Sequence, residues 1–119
     1  MAVSLLTSGA VTPTVAINAQ TGTSYTTVLA DGNNTLVTLS NTGAIAVTIP
    51  PNSSVAYPVG TVLNFSSLNT GLATISGGSG VTVVSTGATA ASPIIRAQYS
   101  SATAIQTSAN NWLIAGDIS

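Results

Sequence analysis

Asp31, Arg96 and Asp117 are the only charged side chains in this chain of 119 residues, which has no lysine, glutamate, histidine or cysteine. Two isolated aspartates provide no carboxylate pair to divide general-acid and general-base roles, and there is no imidazole or thiolate to move a proton or attack. The 35 serines and threonines include no Gly-x-Ser-x-Gly elbow, and a hydroxyl nucleophile would have no histidine or lysine to activate it. The glycines at Gly77-Gly78-Ser79-Gly80 lack the Gly-Lys-Ser/Thr ending of a phosphate loop. No metal-ligand cluster and no basic patch for a phosphate backbone can be assembled from these residues. The expectation is a protein that is not an enzyme, with no catalytic residue, metal or cofactor and no nucleic-acid partner.

The three charges have ordinary structural uses. Asp31 precedes Gly32 in a turn signal, where an aspartate bonds nearby backbone. Arg96 either snorkels over its own surface or clasps a carboxylate, Asp117 or Asp31, within or between subunits. Arg96 and Asp117 are therefore the candidate inter-subunit contact. Among the few aromatics, Trp112 lies beside Leu113 and Ile114 and is expected in the core, while Tyr57 and Tyr99 lie near loops and are the candidates for stacking on a sugar ring. Thr-x-Thr pairs occur only at Thr12/Thr14 and Thr21/Thr23, so the threonine ranks of an ice-binding face are not expected.

Apolar residues make up 45% of the chain and the formal net charge is −1, a balance that favours a packed core over disorder. Apolar stretches such as residues 55–63 are broken by Pro58, Gly60 and Thr61, whereas a spanning helix needs about 20 apolar residues. No membrane span is expected, and Met1 to Leu6 lacks the basic start of a signal peptide. High apolar content with so little charge predicts that much of the surface is buried against other copies or another protein.

Strands must position whatever this surface does. Residues 25–30, 35–40, 44–49, 59–66, 72–76, 81–85, 103–107 and 112–115 are rich in β-formers. In the clearest alternation, Ile45, Val47 and Ile49 face one way. Turn signals such as Asp31-Gly32-Asn33-Asn34, Asn41-Thr42-Gly43 and Asn69-Thr70-Gly71 separate the runs. The expected fold is all-β, a compact antiparallel sandwich or barrel-like domain closed by a hairpin of 104–107 against 112–115. Residues 36–49 resemble 72–84 mildly, but without a fixed period no repeat array is expected. Residues 1–22 are expected to form an N-terminal arm or anchor that ends in a short strand, with residues 23–119 as the β-rich module. The arm's Val3, Leu5, Leu6, Val11, Val15 and Ile17 are the candidate anchoring residues.

Residues Val47-Thr48-Ile49-Pro50-Pro51-Asn52-Ser53-Ser54-Val55-Ala56-Tyr57-Pro58-Val59-Gly60-Thr61-Val62-Leu63 resemble a module of tailed-bacteriophage virion proteins. There a strand ends in Val-x-x-Pro, an Asn-Ser-Ser turn follows, and Pro-x-Gly-Thr opens the next strand. The resemblance continues through residues 75–82, 97–103 and 112–117. Proline fits such a junction because it ends a ladder, and the Asn-Ser-Ser side chains can close the turn on the backbone. The resemblance implies a virion structural protein, either a capsid decoration or head-fibre protein or a tail-fibre or receptor-binding tip. Its relatives often carry Lys, Arg or Glu where this chain has Thr, Ser or Ala. The short distance from Met1 to the module suits a small anchor on a capsid better than a tail shaft. The implied assembly is a homotrimer on the major capsid protein at the virion surface; the alternative partners are tail proteins and a host receptor.

Overall fold

A computed structural model describes residues 14–86 and 92–119. The candidate anchoring residues Val3, Leu5, Leu6 and Val11 lie outside the described residues.

Among the described residues nine strands form, in the order β1 (Ala16–Gln20), β2 (Ser24–Thr26), β3 (Thr35–Leu39), β4 (Ile45–Ile49), β5 (Val62–Ser67), β6 (Ala73–Gly77), β7 (Thr82–Val84), β8 (Ser101–Ser108) and β9 (Asn111–Gly116). One turn of 3₁₀ helix, Leu29–Gly32, lies between β2 and β3. The strands make a six-stranded sheet, β1-β3-β5-β8-β9-β7, and a three-stranded sheet, β2-β4-β6. The all-β expectation holds at that level, and eight of the strands fall within the β-rich runs of the sequence or overlap them.

From β1 to β6 the chain alternates between the sheets, so each coil contributes one strand to each. Successive coils stack in parallel: Ala16 lies opposite Thr35 and Leu36 opposite Asn64 in the large sheet, Ser24 opposite Ala46 and Ile45 opposite Ala73 in the small one. The first three coils therefore wind like a short β-solenoid. The antiparallel expectation is corrected here: among the described strands only β5–β8 and β8–β9 run antiparallel, and the other five pairings are parallel. Side-chain alternation tells which face a strand buries, not which way its neighbour runs. Strands related by a coil repeat necessarily share a direction.

Alternation builds one core from both sheets. Val37, Leu39, Leu63, Phe65, Ala102, Ala104, Trp112 and Ile114 come from the large sheet, and Ile45, Val47, Ile49, Ala73 and Ile75 from the small one. Burying a Val, Leu, Ile or Phe side chain stabilises by about 1.5–3 kcal/mol. Trp112 is in this core, as expected, with the Tyr57 ring edge-on at 5.3 Å.

The corner between the sheets is repeated. Asn41-Thr42-Gly43 and Asn69-Thr70-Gly71 occupy it in consecutive coils. The Gly71 N–H donates to the Asn41 carbonyl (2.8 Å), and Asn41 Nδ2 donates back to the Thr21 carbonyl of the first coil (2.7 Å). Asn41 Oδ1 accepts from the Gly43 N–H at 2.8 Å, and Asn69 Oδ1 from the Thr70 N–H at 2.8 Å. The corner thus uses side-chain amides to satisfy backbone groups that no strand ladder reaches.

The arm expected over residues 1–22 ends inside the sheet, because β1 is its edge strand and runs parallel to β3. The resemblance-bearing segment is the β4–β5 connection. Pro51 accepts from the Ser54 and Val55 N–H groups (2.9 and 3.0 Å), and Gly60 adopts φ 93° before β5. Asn52 closes the turn as expected of its side chain, with Nδ2 donating to the Tyr57 carbonyl at 3.3 Å.

Candidate functional site

The three charges take up structural positions. Asp31, 1% exposed, accepts hydrogen bonds from Asn18 Nδ2 (2.8 Å), the Tyr25 hydroxyl (2.5 Å) and the Val28 N–H (3.0 Å). Gln20 Nε2 donates in turn to Asn18 Oδ1 at 2.8 Å. The first coil is thus filled by a polar plug where later coils hold Val, Leu and Phe, consistent with the polar ending a stacked array needs. Burial, then the hydrogen bond and charge of Asp31, push the Tyr25 hydroxyl pKa upward. The turn role expected of Asp31 is present in its bond to Val28, and the plug adds Asn18 and Tyr25.

Arg96 and Asp117 meet within the chain as an exposed two-pronged pair, Nε to Oδ1 at 2.6 Å and Nη2 to Oδ2 at 2.7 Å. The Arg96 guanidinium, then the Ser100 hydroxyl, hold the Asp117 pKa down at about 2. The pair ties the terminal segment to residue 96, beside the bridge between Ile95 and Ile118. Among the described residues no group of three or more metal-ligating side chains comes together, and no helix is long and apolar enough to cross a membrane.

The two tyrosines proposed for sugar contact separate. Tyr57 is buried, its hydroxyl 2.7 Å from the Thr27 hydroxyl, so it is corrected to a core residue. Burial raises its pKa, against the opposing effect of the hydrogen bond it shares with Thr27. Its ring packs against Trp112 of β9, and the turn that follows is closed by the Thr61 N–H on the Pro58 carbonyl at 3.1 Å. Tyr99 is 75% exposed and holds φ 69°, a left-handed conformation that is uncommon for an aromatic residue.

The most distinctive surface is the outer face of the large sheet. Val62 lies opposite Ile105, Ile105 opposite Leu113, and Leu113 opposite Val84. These four aliphatic side chains form one row across β5, β8, β9 and β7, exposed by 37%, 37%, 40% and 53%. Two positions along the strands, Ile17 faces Leu36 and Leu36 faces Asn64. A groove of about 380 Å³ opens there, lined by Val15, Ile17, Leu36, Asn64, Ser66 and Thr103 among others. Its hydroxyl and amide groups pair with one another, Ser66 with Ser101 at 2.6 Å and Thr103 Oγ1 donating to Asn64 Oδ1 at 2.9 Å. None of the three charged side chains lies on these strands. The face can exclude water and pack, with Ser66, Ser101 and Thr103 already bonded within it.

Of the expected anchoring residues, Val15 and Ile17 are described and both are exposed at this groove. The aliphatic row itself was not singled out from sequence. The signal was present in consecutive apolar pairs, Val62-Leu63, Val83-Val84 and Trp112-Leu113, because a strand with apolar residues on both faces has both faces to bury. Comparison with known proteins finds no matching family model, curated protein or solved structure.

Proposed function

We propose that this chain is a non-enzymatic structural protein of a tailed-bacteriophage virion, decorating the capsid as a homotrimer bound to the major capsid protein. The observation that carries the reading is the uncharged outer face of the large sheet with its row of exposed aliphatic residues. Such a face favours burial against protein over contact with water. The composition supports it too, since the charged residues are engaged in local bonds and leave nothing to steer a charged substrate. The Pro50-Pro51-Asn52-Ser53-Ser54 connection, which carries the virion resemblance, is an ordered junction tied to the closing hairpin through the Asn52 N–H and Asn110 Oδ1 (2.8 Å). With about 25 cal/mol per Å² of apolar area, an interface of standard size yields several kcal/mol per copy after association costs.

A second reading, a small tail-fibre or receptor-binding tip, is favoured by Tyr99, an exposed aromatic held in an uncommon backbone conformation. Cryo-electron microscopy of the particle carrying this chain separates the two. Decoration predicts density repeated over the shell at three-fold or quasi three-fold positions. Density confined to the tail would replace it with the second reading, and absence from the particle would overturn both.

A further inference from the structure

We infer that the outer face of the six-stranded sheet is the surface on which copies of this chain pack against one another. The inference rests on the proposed self-assembly and names the surface that performs it. The two sheets differ sharply on their outward sides. The small sheet presents Ser24, Thr26, Ala46, Thr48, Thr74 and Ser76, which are small or hydroxyl-bearing, and Thr74 is bridged by Ile94. The large sheet presents the row Val62, Ile105, Leu113 and Val84, with Ile17 and Leu36 beyond it.

Chemistry points to a second copy as the occupant. A partner recognised through charge finds no counter-charge here, whereas the same face on another copy offers the same aliphatic and hydroxyl surface. A cross-strand row forms a ridge, and the next positions of each strand lie about 7 Å away, so ridges on one copy fit the furrows of another when two sheets pack about 10 Å apart. The groove beside Ile17 and Leu36 is such a furrow. Six strands about 4.8 Å apart and roughly 20 Å long make a face of about 600 Å² before its roughness, close to the roughly 800 Å² per partner of a standard interface. Seating the row of one copy in the groove of the next is a head-to-tail contact, which closes into the proposed trimer when each copy is turned by a third of a full turn from the last.

The experiment is sedimentation velocity on the full chain and three variants, with circular dichroism to check folding. The wild type should sediment as a closed oligomer. Ile105→Glu, which places a charge on an outward position, should weaken association at least 100-fold and leave the β spectrum unchanged. Thr26→Glu, on the small sheet, should leave the oligomer intact. Should Ile105→Glu unfold, Leu113→Ser removes apolar surface without adding charge and should weaken association about tenfold. An oligomer that survives both large-sheet substitutions, or dissociates in Thr26→Glu, overturns this surface while leaving self-assembly standing. A wild type that stays monomeric at every concentration overturns self-assembly and the inference together.

Discussion

At the scale of single residues, Gly71 shows how closely consecutive coils stack. Its N–H reaches the Asn41 carbonyl, and a Cβ at this position would run into the carbonyl oxygens of Gly43 and Asn41. Backbone cannot yield as a flexible side chain would. Gly22 stands at the same corner of the first coil, but a Cβ there meets only the Ser24 carbonyl, at 3.8 Å. Gly71→Ala should therefore destabilise by about 3 kcal/mol, the upper range of overpacking costs, and Gly22→Ala by less than about 1 kcal/mol. Urea unfolding of the two variants checks the contrast, and equal costs would contradict the stacked corner.

At the scale of elements, protection of the strands should follow their place in the coils. β3 and β5 are paired on both edges and supply Val37, Leu39, Leu63 and Phe65 to the core. β2 and β7 are three-residue edge strands. Amides of β3 and β5 should exchange only through near-global opening, and those of β2 and β7 through local fraying. Hydrogen exchange that protects β2 as strongly as β3 would contradict the coil order.

The elements also show what the sequence made legible. Ile45, Val47 and Ile49 are all buried, because strict alternation reports a half-buried strand directly. The hairpin of β8 and β9 was legible because Asn110, at φ 62°, is a residue type that tolerates a tight turn. The coils were not, although Asn-Thr-Gly recurs at residues 41–43 and 69–71. Thr35 lies 19 residues beyond its partner Ala16, but Asn64 lies 28 beyond Leu36. The long Pro50–Gly60 connection breaks the period, so the mild likeness of residues 36–49 to 72–84 does not follow the stacked strands. β1 was half legible: its alternation is weak because the side chains of Asn18 and Gln20 serve the polar plug. The outward aliphatic row is not legible in the sequence, because strand partners, which tertiary structure fixes, are what place Val62, Ile105, Leu113 and Val84 side by side.

At the scale of the whole molecule, the scarcity of charge sets the response to solution conditions. Asp117 titrates at about 2 in the folded chain instead of 3.8. Its contribution is fully present above pH 3.8 and is lost as pH falls toward 2. Tyr25 shifts the other way, above its ordinary 10.0. It favours the fold below pH 10 and loses that contribution as pH rises further. With no histidine or lysine, nothing in these shifts acts between about pH 5 and 9. The melting temperature should be flat across that window and fall on either side; a step near pH 6–7 would contradict this assignment.

Association driven by apolar surface differs from association driven by charge in its salt dependence, since salt screens charges within about 10 Å at 0.1 M and about 3 Å at 1 M. The most direct test of the central claim is sedimentation equilibrium of the chain from 0.05 to 1 M sodium chloride. Assembly through an uncharged aliphatic face predicts an association constant that is unchanged or somewhat larger at 1 M. Dissociation to monomer by 1 M salt would contradict it.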